Sequence, residues 1–207
     1  MADTKRKLDL TQRHNTRCAD CKDVIRKMLE NVYGDVKMKF KVTDISVRLE
    51  AYKGLRYYPE LKKVFDSLTK IRGYKDFVRV NYLQRCDFYL PEEKRIVELD
   101  EYQHFTKARS ISLANYPTSL KLGYDKKIYK AICESKNQHD NDKDCIFRDE
   151  QRAWYDTIRD FIPLLSKEIA KPTIRIPIGF FDWCSLDPKN KKDVERFKAF
   201  LNDKAKF

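Results

Sequence analysis

Residues 85–104 have the sequence RCDFYLPEEKRIVELDEYQH, in which two largely apolar stretches flank the polar tetrapeptide PEEK at 91–94. Two strand-like stretches joined by a short polar turn are typical of a β-hairpin. The sequence therefore predicts antiparallel strands at 85–90 and 95–100.

The register of this hairpin is predicted to bring acidic side chains together. With the turn at PEEK, Leu90 pairs with Arg95, and counting back from the turn places Asp87 directly opposite Glu98. Opposed residues have Cβ atoms about 5 Å apart, and Asp100, two positions beyond Glu98, points to the same face. Unpaired carboxylates this close repel one another, so the cluster predicts a bound Mg²⁺ or Mn²⁺ with oxygen ligands.

The acidic face also has an explanation that needs no metal ion. Acidic residues on the outer face of a hairpin are commonly solvated, and Arg85, opposite Asp100 in this register, would neutralise one of them. The end of the second strand nevertheless favours a site, because Gln103 and His104 follow directly, where α/β proteins tend to place their sites. His104 is a candidate for proton transfer or phosphate contact.

The rest of the chain alternates between helical and strand-like patterns. Apolar residues at helical spacing predict helices at 19–32, 59–73, 149–169 and 194–201. Alternating apolar residues predict further strands at 36–42, 45–49, 77–82 and 173–178. Residues 1–17 are expected to form a basic arm and 18–207 one domain, with an insertion at about 106–148 after the hairpin. The order of elements fits an α/β sandwich around a central mixed sheet.

Composition and charge limit the class of protein. With 207 residues, of which 42% are hydrophobic, the chain can build a folded core. Lys and Arg total 44 against 32 Asp and Glu, and a net charge of +12 favours a polyanionic partner. No apolar run approaches the roughly 20 residues needed to span a bilayer and no signal peptide is evident, so we expect an intracellular, cytoplasmic protein without a membrane partner. Its six cysteines are then expected to be thiols or metal ligands.

The hairpin resembles part of a known group of enzymes. Its Asp-Phe-Tyr-Leu-Pro strand, turn and Glu-x-Asp-x-x-Gln-His segment are similar to the nuclease-like domains related to very-short-patch-repair endonucleases, of the PD-(D/E)XK superfamily. The match covers 85–105, with weaker similarity in Asp149-x-x-Arg152, the helix there and the strand at 173–176. The resemblance implies a restriction-endonuclease-like α/β/α sandwich that hydrolyses phosphodiester bonds, with Asp87 and Glu98 as metal ligands.

Three positions depart from the pattern of that superfamily. Cys86 stands where the proline of its name is expected, Asp100 where the usual catalytic lysine is expected, and Glu101 where a glycine often follows. A carboxylate cannot supply the positive charge of lysine to the transition state. Asp100 is therefore expected to be a third metal ligand or to orient the attacking water, and Gln103 and His104 complete the predicted catalytic set.

Basic residues outside the hairpin are candidates for nucleic-acid contacts. Lys37, Lys39 and Lys41 share one face of the predicted strand at 36–42, and Arg152 and Arg175 lie in the weaker matches. A lysine face can equally be solvated or protect a sheet edge. The expected partner is double-stranded DNA, although RNA and a homodimer stay open.

The segment Cys18-x-x-Cys21, with His14 four residues earlier, is a candidate zinc site. Structural zinc takes four ligands, so this pair alone is not enough. Further ligands would have to come from later cysteines and histidines: Cys133, His139 and Cys145. The alternative is that Cys18 and Cys21 are ordinary thiols at the start of a helix.

These features predict a Mg²⁺- or Mn²⁺-dependent DNA endonuclease. Two alternatives stay open at the level of sequence. One is a non-catalytic nucleic-acid-binding protein with a degenerate nuclease fold, favoured by the missing lysine. The other is a zinc-containing DNA-binding module, which requires a metal at Cys18 and Cys21.

The net charge of +12 leads to a prediction about DNA binding. Phosphate contacts by Lys and Arg release condensed counterions, so affinity should fall by roughly 10³-fold or more between about 50 and 200 mM salt. Fluorescence anisotropy of a labelled duplex measures this dependence. An affinity that stays constant over the same range would mean that the positive charge serves another purpose.

Overall fold

The computed structural model describes residues 18–136, 146–179 and 181–202. Within these ranges the chain is mixed α/β, with six α-helices and one four-stranded sheet. The helices are α1 Ala19–Tyr33, α2 Tyr58–Arg72, α3 Lys107–Ala114, α4 Lys126–Lys136, α5 Arg148–Leu165 and α6 Lys191–Asn202. The strands are β1 Lys37–Phe40, β2 Cys86–Leu90, β3 Arg95–Asp100 and β4 Ile174–Pro177. Short 3₁₀-helices occupy Leu49–Tyr52, Tyr102–His104 and Trp183–Ser185.

The sheet has the strand order β1-β2-β3-β4 and is mixed. The predicted hairpin is confirmed, since β2 and β3 are antiparallel and Leu90 pairs with Arg95. β4 returns through the crossover helix α5 and lies parallel to β3, which sets Arg175 beside Glu98. The charged residues of β3 and β4 therefore lie on neighbouring strands.

Helices cover both faces of the sheet. On one face, α1 and α6 pack against the strands, and this cluster includes Ile25, Leu29, Phe88, Val97, Ile176 and Phe197. On the other face, α2 to α5 form a second cluster, which includes Leu61, Cys86, Ile96, Tyr129 and Trp154. None of the described helices is both long and apolar enough to cross a lipid bilayer.

Most predicted elements form within a few residues of their expected bounds. The main differences are α5, which ends at Leu165 and not at 169, and β1, which is only four residues long. The apolar face expected for β1 is incomplete, because Met38 is 45% exposed at this edge of the sheet. Gly34 and Gly73, both with positive φ, end the first two helices as the sequence indicates.

The prediction of strands at 45–49 and 77–82 is wrong. In the described chain a single isolated β-bridge joins the two stretches. Their apolar side chains are nevertheless largely buried. Side chains of α5 donate hydrogen bonds to one backbone carbonyl in each stretch. Gln151 Nε2 donates to the carbonyl of Phe77 at 2.8 Å, and Trp154 Nε1 donates to the carbonyl of Val47 at 2.7 Å. The alternation thus reflects burial beneath α5 and not a strand ladder.

The described part of the region at 106–148 contributes to the hydrophobic core. α3, α4 and the segment between them bury the side chains of Leu113, Tyr116, Tyr124, Tyr129 and Cys133. The apolar pattern is weak here because tyrosines and an arginine fill the interior in place of aliphatic residues. Residues 137–145 and the expected arm at 1–17 lie outside the described residues.

A buried arginine joins the sheet to the helices. Arg175 of β4 has no exposed side-chain surface. Its guanidinium donates to Asp100 of β3 at 2.7 Å, to Asp160 of α5 at 2.9 Å and to Asp156 of α5 at 3.3 Å. A buried charge is stable only when it is paired and hydrogen-bonded, so this contact fixes β3, β4 and α5 relative to one another.

Replacing Arg175 should be strongly destabilising. Arg175→Met leaves three buried carboxylates without their common partner, and we expect the free energy of unfolding to fall by about 3–5 kcal/mol. The control is Lys62→Met, which breaks an exposed pair with Asp66 on α2 and should change stability little. Urea denaturation at neutral pH measures both variants, and equal losses would contradict a special role for Arg175.

Candidate functional site

The polar end of the hairpin opens into a cleft of about 360 Å³ beside α5. Phe88 pairs with Val97, so the register places Asp87 opposite Glu98 as predicted, and both residues line the cleft. The helix contributes the opposite wall through Gln151, Arg152, Tyr155, Asp156 and Arg159. The cleft is therefore lined by charged groups of both signs.

Glu98 is almost wholly buried in the floor of this cleft. Only 7% of the residue is exposed, and Arg159 Nε donates to its Oε1 at 2.8 Å. Burial raises the pKa of Glu98 to about 7; the charge of Arg159 acts in the opposite direction and that of Asp87 adds to the rise. Glu98 therefore changes its charge near neutral pH.

Asp87 is held by a lysine that the sequence did not indicate. The ammonium group of Lys22 on α1 contacts Oδ1, and the backbone N–H of Leu99 donates to Oδ2 at 2.9 Å. Lys22 and Asp87 are 65 residues apart, and no motif links them. An ammonium group thus lies at the acidic pair, although position 100 of the hairpin is not lysine.

Asp100 belongs to the buried network and is not among the residues that line the cleft. Arg175 Nη1 donates to both of its oxygens, at 2.7 and 3.0 Å, and the Tyr129 hydroxyl donates to Oδ2 at 3.0 Å. The expectation of three unpaired carboxylates is therefore wrong, since each has a basic partner. Arg85, expected to neutralise Asp100, donates instead to the carbonyl of Lys39.

His104 and Gln103 both line the cleft, as expected from their place after β3. His104 Nδ1 lies 2.9 Å from Oδ2 of Asp156, a residue that the sequence did not single out. Burial alone would lower the pKa of His104, but the charge and hydrogen bond of Asp156 outweigh it and the net shift is upward. Asp156 follows Arg152 by one helical turn and belongs to α5, the helix of the weaker match.

The cleft region offers two sets of oxygen and nitrogen donors for a metal ion. Ligand atoms of Asp100, His104 and Asp156 lie within 4.8 Å of one another. The guanidinium of Arg175 already contacts both of these carboxylates, so a divalent ion would have to displace a buried cation.

The second set is Asp87 and Glu98, which lie opposite each other on β2 and β3. Its partner Lys22 keeps 31% of its side chain exposed and can be moved aside, and Arg159 donates through Nε to a single oxygen of Glu98. Two carboxylates on adjacent strands form the all-oxygen donor set that Mg²⁺ prefers.

The predicted nucleic-acid contacts have different environments. Lys37, Lys39 and Lys41 are exposed on or beside edge strand β1. Arg152 lines the cleft and donates to the carbonyl of Gln103 at 3.0 Å. The prediction for Arg175 is wrong, because its guanidinium is fully buried and paired with carboxylates, and no surface is left for a phosphate.

The predicted zinc pair is joined by a cysteine that the sequence did not suggest. Cys18 and Cys21 lie beside Cys184, which comes from the 3₁₀-helix after β4. The prediction of Cys133 as a further zinc ligand is wrong, because this residue is buried in the hydrophobic cluster on the other face of the sheet. The other proposed ligands, His14, His139 and Cys145, lie outside the described residues.

No protein-family model matches the chain. Comparison with curated proteins likewise gives no match, and no solved structure matches. The similarity of residues 85–105 to PD-(D/E)XK nucleases stays a prediction from the sequence.

The raised pKa of Glu98 predicts a pH-dependent stability in the metal-free protein. Between about pH 4.5 and 7 the folded state holds a proton that the unfolded chain has lost, so the free energy of unfolding falls as pH rises. Glu98→Gln has no such proton and should remove this dependence. The difference should be roughly 3 kcal/mol at most, at about 1.4 kcal/mol per pKa unit.

Urea denaturation in EDTA at about pH 5 and pH 8 checks this expectation. Glu50→Gln, which changes an exposed glutamate, is the matched control. The same pH dependence in wild type and Glu98→Gln would show that Glu98 ionises normally in the folded protein.

Proposed function

We propose that this protein is a metal-dependent DNA endonuclease whose active site is the cleft between the β2–β3 hairpin and α5. The observation that carries the proposal is Asp87 opposite Glu98 in the cleft, with the ammonium group of Lys22 against Asp87. Two carboxylates and a lysine are the groups that the resemblance to PD-(D/E)XK nucleases implies. In this chain α1 would supply the lysine that the hairpin lacks.

The charge around the cleft suits a phosphodiester backbone. Arg148 and Arg152 line the cleft, and guanidinium groups bind phosphate through paired hydrogen bonds. The register of β1 against β2 also sets Lys39 next to Asp87, since the residues on either side of them are paired. With the net charge of +12, these groups favour double-stranded DNA as the substrate.

The carboxylates of Asp87 and Glu98 would hold the divalent ion. When bound, Mg²⁺ or Mn²⁺ activates water and neutralises charge on the phosphate. In the hydrolysis, a water oxygen bonds to phosphorus, the bond from phosphorus to the leaving oxygen breaks, and the proton of the water passes to solvent. Lys22 adds positive charge at the phosphate as negative charge accumulates there.

His104 is the proposed proton donor to the leaving oxygen. Its Nδ1 is engaged by Asp156, which leaves Nε2 for the substrate. The raised pKa of His104 favours the protonated imidazolium that such a donor needs. Asp100 has a positioning role in this proposal, since it lies beside His104 Nδ1 at 3.7 Å and is held by Arg175.

A non-catalytic nucleic-acid-binding role is the second candidate, and one observation favours it. Lys22 pairs with Asp87, Arg159 with Glu98 and Arg175 with Asp100, so the acidic residues are balanced without a metal ion. A protein of this kind would bind DNA through its basic surface and leave it intact.

Cleavage assays on plasmid and branched duplex DNA test the proposal. Wild type should cleave with Mg²⁺ or Mn²⁺ and not in EDTA. Asp87→Asn should abolish cleavage but keep DNA binding, because it removes a metal-binding charge that also repels phosphate. Lys22→Met should slow cleavage by about 10²–10³-fold, the usual effect of removing one preorganised group.

The matched control for Lys22 is Lys27→Met on the same helix, because the exposed Lys27 pairs with Asp23 among the described residues, does not line the cleft and should not affect cleavage. Wild-type rates in Asp87→Asn would exclude this cleft as the active site. Salt-sensitive binding by a wild-type protein that cleaves none of these substrates would favour the second candidate.

A further inference from the structure

Three thiols meet outside the cleft. Sγ of Cys184 lies 3.7 Å from Sγ of Cys18 and 2.9 Å from Sγ of Cys21. All three sulfurs lie within 4.8 Å of one another. Cys184 is 166 and 163 residues away from the other two along the chain, so the fold alone brings them together.

The start of α1 favours the thiolate form of Cys18. Cys18 is the N-cap of the helix, and the backbone N–H of Cys21 donates to its Sγ at 3.4 Å. The positive end of the helix dipole lies at the same place. Metals bind the thiolate and not the thiol.

The spacing of the sulfurs is compatible with a tetrahedral metal ion. Zn–S bonds of about 2.3 Å place two sulfurs roughly 3.8 Å apart, close to the 3.7 Å between Cys18 and Cys184. The shorter contact between Cys21 and Cys184 would have to open by roughly 0.9 Å. A disulfide would use only two of the three sulfurs, whereas a metal ion accounts for the convergence of all three.

We propose that Cys18, Cys21 and Cys184 form a zinc site with three thiolate ligands. Soft sulfur donors and tetrahedral geometry select Zn²⁺ over the hard ions that suit the cleft. The fourth position takes a ligand other than a thiolate of the described chain, such as water. This site is separate from the acidic pair and does not depend on the proposed nuclease activity.

The zinc ion fastens the first turn of α1 to the segment that follows β4. Trp183, next to Cys184, is buried and packs against Phe200 of α6 with ring centroids 4.9 Å apart, so that segment is anchored in the core. Lys22 follows Cys21 directly, and Cys18, Lys22 and Asp87 line one cavity of about 220 Å³. Metal at the thiols would therefore also hold the first turn of α1, and with it Lys22, beside this cavity.

Cobalt binding to the full-length chain tests the site. Reduced, metal-free protein titrated with Co²⁺ should show thiolate-to-cobalt charge-transfer absorption and the intense visible bands of tetrahedral cobalt, saturating at one ion per chain. Zn²⁺ should displace the cobalt and remove both features. Cys184→Ser should lose charge-transfer intensity and bind Co²⁺ more weakly, whereas Cys133→Ser, which changes a buried thiol of the other cluster, should behave as wild type.

Alkylation of the wild-type protein gives the same test without a variant. Zn²⁺ should protect Cys18 and Cys184, the two partly exposed thiols of the cluster, from iodoacetamide, as read by peptide mass spectrometry. If Cys184→Ser does not fold, Cys18→Ser, at the partly exposed N-cap, replaces it.

Three results would overturn the proposal. The first is that reduced wild type shows no charge-transfer band, and the second is that the band is unchanged in the serine variant. The third is that Cys21 and Cys184 form a disulfide and the protein takes up no Co²⁺ once that disulfide is reduced. The measurement is spectroscopic and reports sulfur ligands. A negative result therefore leaves the nuclease proposal standing, and a lack of DNA cleavage leaves the zinc site standing.

Discussion

The fold depends on the burial of one arginine. Arg175 enters the interior on β4 and meets Asp100, Asp156 and Asp160 at 2.7–3.3 Å. A guanidinium loses its hydration when it is buried, and only carboxylates and hydrogen bonds at close range offset that loss. Because these carboxylates belong to β3 and α5, pairing the arginine sets how closely the helix approaches the sheet.

The same requirement makes the weakly patterned region at 106–148 part of the core. Asp160 also accepts hydrogen bonds from Arg109 of α3 at 2.7 Å and from the hydroxyl groups of Tyr116 and Tyr124. A second buried guanidinium is thereby neutralised, and its donors are used within the network. α3 and the segment between α3 and α4 are therefore held by polar contacts as well as by apolar packing.

The network also determines which acidic residues are available for chemistry. It engages Asp100 completely, whereas Asp156 reaches outward to hold His104 at the cleft. Asp87 and Glu98 lie beyond it and line the cleft, with separate partners on α1 and α5. The first turn of α1 therefore contributes both the ammonium group at Asp87 and two of the three clustered thiols.

Sequence alone determined the elements whose signals act over a few residues. Alternation and the PEEK turn predict the hairpin and its register, and so the opposition of Asp87 and Glu98, which is confirmed. Tertiary structure alone decided the partners: Lys22 lies 65 residues from Asp87, Arg159 lies 61 from Glu98 and Cys184 lies 163 from Cys21. Tertiary structure also decided that residues 45–49 and 77–82 form no strand ladder. The carbonyls of Val47 and Phe77 accept hydrogen bonds from side chains of α5 instead. The type of a turn and the alternation of apolar side chains depend on residues that are neighbours in the sequence. Ion pairs and sulfur clusters depend instead on distances in space, which the separation of two residues along the chain does not determine.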